Sequence, residues 1–258
     1  MSIILKALYR YPVKSLSAQA LDRVDVMADK PLPHDRRYAI AHGASRYDAA
    51  EPQWQPKAAF LALVRNARLA KLVSHYDAET ETLGIERDGR EVVRGALADI
   101  SGRAVIEQFL AAFMGEEARG RAHLAQAPNV SFSDVPEPYV SIIGLASIRD
   151  LERVTQAPVD PLRFRANLYL EGSTPWQEFR WVGREISVGG VRFKVEERIT
   201  RCAATEVNPQ SGDRDLTVLA ALRRGFDHMD MGVYARPISD GAIALGDKVE
   251  IKDSQAKA

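Results

Sequence analysis

Residues 185–202 read EISVGGVRFKVEERITRC. Ile186 and Val188 alternate with polar neighbours before the Gly189-Gly190 pair, and Val191, Phe193 and Val195 alternate after it. Two period-two runs around a two-glycine turn signal a β-hairpin, because the favoured hairpin turns need positive φ at both central residues. The second strand runs directly toward Cys202, the only cysteine in the chain. Residues 81–95, ETLGIERDGREVVRG, repeat the arrangement, with Asp88-Gly89 between Leu83/Ile85 and Val92/Val93. Further strand-like runs are IILKALYRYPV (3–13), LDRVDVM (21–27) and RRYAIA (36–41). Helical signals are fewer. Val105, Ile106, Phe109, Leu110 and Phe113 share one face of a helix within residues 99–117. Ser147 and Asp150 stand at capping-box spacing, and Asp215 is a candidate cap for a helix ending in Arg223 and Arg224. The expected fold is mainly β (α+β), partly closed into a barrel, with a few peripheral helices. A Gly-, Pro- and polar-rich stretch over residues 115–139 suggests a division into 1–115 and 116–258, or one intertwined β-rich body.

The 258 residues carry 35 Lys+Arg and 35 Asp+Glu, so the formal net charge is zero. No global field attracts nucleic acid or an anionic membrane, and any anion site must be local. One cysteine excludes an intrachain disulfide, a Cys₄ zinc site and a Cys-ligated iron–sulfur cluster within this sequence. The five histidines are scattered without metal-ligand spacing, and the phosphate-loop, dinucleotide-binding and nucleophile-elbow motifs are absent. No apolar run is long enough for a membrane anchor, and a free thiol fits a reducing, cytoplasmic setting.

Cys202 has Arg198 and Arg201 before it, Thr205 after it, and a Pro-, Ser- and Gly-containing turn beyond. Nearby cations favour the thiolate, the form that binds metal or attacks. The alternative is a small buried hydrophobe with its arginines in solvent. Three other clusters stand out. In DPLRFRANLYL (160–170), Arg163, Arg165 and Asn167 would share one face of a strand, and guanidinium forks suit a phosphate or a polar heterocycle. Lys14 and Ser15 follow a strand and a proline in YPVKS, and Asp35-Arg36-Arg37 opens another strand. Singly, each of these is a solvated polar face.

In order, YPVKS, DRRYAI, SFSD, RFRAN, RCAATEVNPQSG, MGVYARP and GAIALGDKVEI resemble proteins of the MOSC family, the molybdenum cofactor sulfurase C-terminal domain, with its N-terminal β-barrel part. The type is that of the mitochondrial amidoxime-reducing component and its bacterial relatives. Leu16 stands where relatives often have cysteine, and Ala166 where proline is common. The resemblance implies a molybdenum–pterin cofactor (molybdopterin) with Cys202 as the protein ligand to molybdenum. It implies that Lys14, Ser15, Arg36 and Arg165 contact the cofactor's anionic and polar parts. Asn167, Thr200, Arg201, Thr205 and Tyr234 would line the same pocket, and Asp134 would be an acid near the metal.

The implied activity is reduction of small N-hydroxylated substrates, with electrons from a separate reductase. The alternative is a non-catalytic carrier of the cofactor or its sulfur, with donor and acceptor proteins as partners.

Overall fold

The structure is a computed structural model that describes residues 2–126 and 130–252. Seven strands close into a barrel. In spatial order they are Leu168–Glu171, Val140–Gly144, Asp230–Pro237, Val191–Thr200, Glu185–Val188, Lys248–Ile251 and Ile3–Arg10, which pairs back onto Leu168–Glu171. All neighbours are antiparallel except Leu168–Glu171 and Val140–Gly144. Those two are parallel, so the chain must cross over between them, and helix α2 (Leu145–Thr155) forms the crossover. The interior is filled by inward side chains such as Leu5, Ile142, Phe193 and Val233. One barrel strand therefore comes from the N-terminus, and the other six from residues 140–251.

A second body packs beside the barrel. Its ribbon Tyr38–Ala41/His123–Gln126 and its meander Val73–Asp77, Thr82–Arg87, Arg90–Ala96 share a core with helix α1 (Ile100–Met114). Both expected hairpins form, with φ of 53° and 72° at Asp88-Gly89 and 55° and 91° at Gly189-Gly190. Helix α3 (Val218–Phe226) packs with α2 against the outer barrel face.

Several local expectations are corrected. Val105 faces solvent, and α1 instead buries Ile106, Leu110, Phe113 and Met114. Ser147 lies inside α2, where its hydroxyl donates to the buried Glu178 carboxylate and accepts from the Trp176 N–H. Gly144 caps that helix, and its N–H donates to the same carboxylate at 3.2 Å. Thr217, not Asp215, precedes α3; Asp215 pairs with Arg163 instead. The RFRAN segment is not a strand. Asp160 caps a 3₁₀ turn, Pro161–Phe164, and Arg165 ends it in the left-handed region at φ 51°. Arg163 consequently turns away toward Asp215 and the Glu206 carbonyl.

Two features aim the chain at the barrel's open end. The pairing of Val191–Thr200 with Asp230–Pro237 shifts register at Val195/Glu197 and again at Arg198/Thr200. Such irregularities bend the strand that delivers Cys202. Gly232, at φ 76°, lies where a Cβ would meet the Ile142 carbonyl oxygen at 2.5 Å, so the strands approach this closely only with glycine there.

Candidate functional site

Where the barrel end meets the second body lies a cleft of about 360 Å³. Every site residue expected from the sequence lines it, including Cys202, Asp134 and the Lys14-Ser15, Arg36 and Arg165-Asn167 clusters. The residues are far apart in sequence and are gathered by the fold alone.

At its inner end, two guanidinium groups pack on the one ring of Tyr11, Arg36 at 4.4 Å and Arg165 at 4.3 Å from its centroid. Tyr11 is fully buried and its hydroxyl donates to the Ala166 carbonyl at 3.1 Å. Asp35 neutralises Arg36 at 2.6 Å and also accepts from the Tyr11 N–H at 2.8 Å. Burial opposes the Arg36 charge, but Asp35 together with the Tyr11 and Tyr234 oxygens outweighs it and raises the pKa. Arg36 then donates to the Arg165 backbone carbonyl at 2.7 Å. Arg165 has no such carboxylate. Among the described residues its side chain donates no hydrogen bond, and its buried Nη2 has no partner. Burial pushes its pKa down to about 10, against the attraction of the Tyr11 oxygen and with the Arg36 charge adding to the fall. Ser15, Arg36 and Arg165 all have positive φ, at 71°, 48° and 51°. Non-glycine residues held this way cluster at ligand sites, where the surrounding structure must enforce them.

Toward Cys202, the buried Lys14 ammonium donates to the Phe132 carbonyl at 2.8 Å and pairs with Asp134 at 2.7 Å. Burial lowers the Lys14 pKa, partly offset by Asp134. Burial alone would raise the Asp134 pKa, but Lys14, Lys57 and Arg36 hold it well below the ordinary carboxylate range. Asp134 is therefore ionised at neutral pH and serves as a counter-charge. Cys202 is partly exposed at the start of the 3₁₀ turn Ala203–Glu206, just past the strand end. Its backbone carbonyl accepts from the buried Thr205 hydroxyl at 3.0 Å, which fixes the turn.

Other expected residues shape the walls. The Asn167 amide accepts from the Ser141 N–H and hydroxyl and donates to the Tyr9 carbonyl, clamping two barrel strands together. Arg201, half-buried, donates to the Met231 and Phe164 carbonyls and pairs with no carboxylate; desolvation lowers its pKa. Thr200 donates to Asp230 at the rim. Tyr234 faces the cleft with its ring 5.5 Å from that of Tyr139.

The sequence reading missed Lys57, which reaches the cleft from a short 3₁₀ turn, Lys57–Ala59, in the segment between the clusters. Its only local signal is a lysine after a proline, and packing alone brings it to the site. Lys14, Arg36, Lys57, Arg165 and Arg201 thus stand against the carboxylates of Asp35 and Asp134 in the cleft and Glu197 at its rim. Among the described residues, no group of three or more His, Cys, Asp or Glu side chains could cage a metal ion. The donor set is one thiol plus surplus cations and an unpartnered guanidinium nitrogen. It suits an anionic group that brings its own remaining metal ligands, and a molybdenum–pterin cofactor is such a group.

The architecture and cleft define a barrel protein with one thiol in a cation-lined cleft. Residues 128–250 match the MOSC domain. The chain is 32% identical over 99 residues to a molybdenum cofactor sulfurase of Caenorhabditis elegans, covering 37% of this chain and 14% of that protein. It is 30% identical over 112 residues to one of Drosophila melanogaster, covering 42% and 14%. The chain thus spans only about a seventh of the length of these curated relatives. The fold is similar to the crystal structure of the YUAD protein from Bacillus subtilis, with a TM-score of 0.50 and 14% identity over 99% of this chain and 98% of that one. Among the described residues no helix is long and apolar enough to cross a membrane.

Proposed function

We propose that the protein is a molybdenum-cofactor-dependent oxidoreductase that reduces N-hydroxylated compounds, with Cys202 as the protein ligand to the metal. The observation that carries the reading is the meeting, in one cleft, of a partly exposed thiol with a guanidinium that pairs with no carboxylate and whose buried Nη2 has no partner. When bound, the cofactor would supply a redox-active molybdenum and two further sulfur ligands. Lys14, Ser15, Arg36 and Arg165 would hold its anionic part, the last two both packed on the Tyr11 ring. Arg201 and Thr205 fix the turn that presents the sulfur. Asp134, ionised between two ammonium groups, balances charge beside the reacting end and stores no proton there. The single cysteine of these residues cannot hold an iron–sulfur cluster, so in this reading the electrons come from a redox centre outside them, such as a reductase.

The relatives named molybdenum cofactor sulfurase favour a second reading, in which the chain carries the cofactor or its sulfur to another protein. Metal and pterin analysis of the purified protein tests both, and about one molybdenum per chain is expected. Supplied with an artificial reductant, loaded wild type should reduce a simple amidoxime, whereas Cys202→Ser should not. Equal turnover by the two proteins would overturn the ligand assignment. A loaded but inactive wild type that activates an acceptor enzyme would establish the carrier reading instead.

A further inference from the structure

The Lys57–Ala59 turn is pinned to the cleft at two points. The Ala58 carbonyl meets His42 Nε2 at 2.9 Å, and Trp54 Nε1 donates to the Ser133 carbonyl at 3.3 Å, one residue from Asp134. Lys57 Nζ lies 3.5 Å from Asp134 Oδ2 and lines the same cleft as Cys202, and these two groups hold its pKa up against burial. Asp134 is the nearer partner of Lys14, at 2.7 Å. One carboxylate thus serves two ammonium groups, and the trio keeps a net positive charge facing the thiol. The Lys57 side chain is 41% exposed, so its charge meets whatever enters the cleft.

We propose that Lys57 is a further binding residue of the cleft, a fixed cation that draws anionic reactants onto the Cys202 sulfur. It lies outside the MOSC-matched segment, so the N-terminal part of the chain sets which ligand charge reaches the thiol. At the free sulfur, before any cofactor occupies it, the chemical class selected is a group bearing a carboxylate or oxyanion, over a neutral or cationic one of the same shape.

The test uses the full chain produced without added molybdenum, so its outcome does not depend on the redox reading above. Rates of Cys202 alkylation by iodoacetate, which is anionic, and iodoacetamide, which is neutral, are measured at one pH and low ionic strength. The thiolate fraction and steric access enter both rates alike, so their ratio reports the field at the sulfur. One charge about 5 Å from an incoming carboxylate in a water-like dielectric changes the anion's rate about fourfold. Lys57→Gln should therefore lower the iodoacetate-to-iodoacetamide ratio about fourfold, and Lys57→Arg should retain it. High salt should bring the wild-type ratio down toward that of Lys57→Gln. An unchanged ratio in Lys57→Gln overturns the proposal. So does a fall in Lys57→Arg as large as in Lys57→Gln, which would mark a packing effect rather than a charge.

Discussion

Replacing Arg165 with methionine should stabilise the ligand-free protein while removing its response to anions. The guanidinium pairs with no carboxylate and leaves its buried Nη2 without a partner. Its pKa of about 10 lies some 2.5 below the ordinary 12.5, which at 1.36 kcal/mol per pKa unit puts the cost of holding the charge at about 3 kcal/mol. Methionine gives up the stacking on Tyr11, a loss of about 1 kcal/mol for a cation–π contact. Its backbone cost at φ 51° is that of any non-glycine residue, so this contribution cancels. The net gain is about 2 kcal/mol, or roughly 4–8 °C in Tm for a chain of this size. Thermal unfolding monitored by fluorescence, with and without inorganic phosphate, measures both halves of the prediction. Wild type should gain about 2.7 kcal/mol at a phosphate concentration one hundred times Kd, and the variant little. The two melting curves should therefore converge as phosphate rises. A variant that melts below wild type in phosphate-free buffer, with both proteins shifting equally on adding phosphate, would refute the reasoning.

Two further outcomes follow from the same geometry. The folded-state pKa of Asp134 lies below its unfolded value, so its stabilisation is fully present above about pH 4 and fades as pH falls. Asp134→Asn should cost about 1 kcal/mol at pH 7, a modest value because the carboxylate is 44% exposed, and urea unfolding should show the gap to wild type narrowing below about pH 4. Gly232→Ala should cost about 3 kcal/mol or more, since a Cβ there meets the Ile142 carbonyl and φ is 76°; a Tm within a degree of wild type would show that the strands can part.

What could be read in the sequence followed from local chemistry. The Asp88-Gly89 and Gly189-Gly190 hairpins were visible because positive φ at two adjacent residues is a strict demand. The RFRAN strand was misread because alternation of Arg163, Arg165 and Asn167 was weighed above Asp160-Pro161, a cap and first-turn pair. Ser147 has the chemistry of a cap, yet the buried carboxylate of Glu178, 31 residues away, claims it. The cleft clusters were legible one by one as weak signals, and a family resemblance supplied their order. Their convergence depends on barrel closure, which no window of sequence contains. Lys57 was invisible for the same reason: its segment has almost no regular structure, and packing through His42 and Trp54 alone brings it to the thiol.

Barrel closure also sets a timetable. Ile3 and Ile4 pair with Val249 and Lys248, so the ring shuts only when two strands far apart in sequence have met. Until then the nascent chain presents open strand edges, which are templates for pairing with other chains. Loop closure over almost the whole chain is slow relative to local hairpins. The cleft, built on the open end of that ring, takes shape only once the ring has closed, so a ligand captured there meets a chain whose distant strands have already joined.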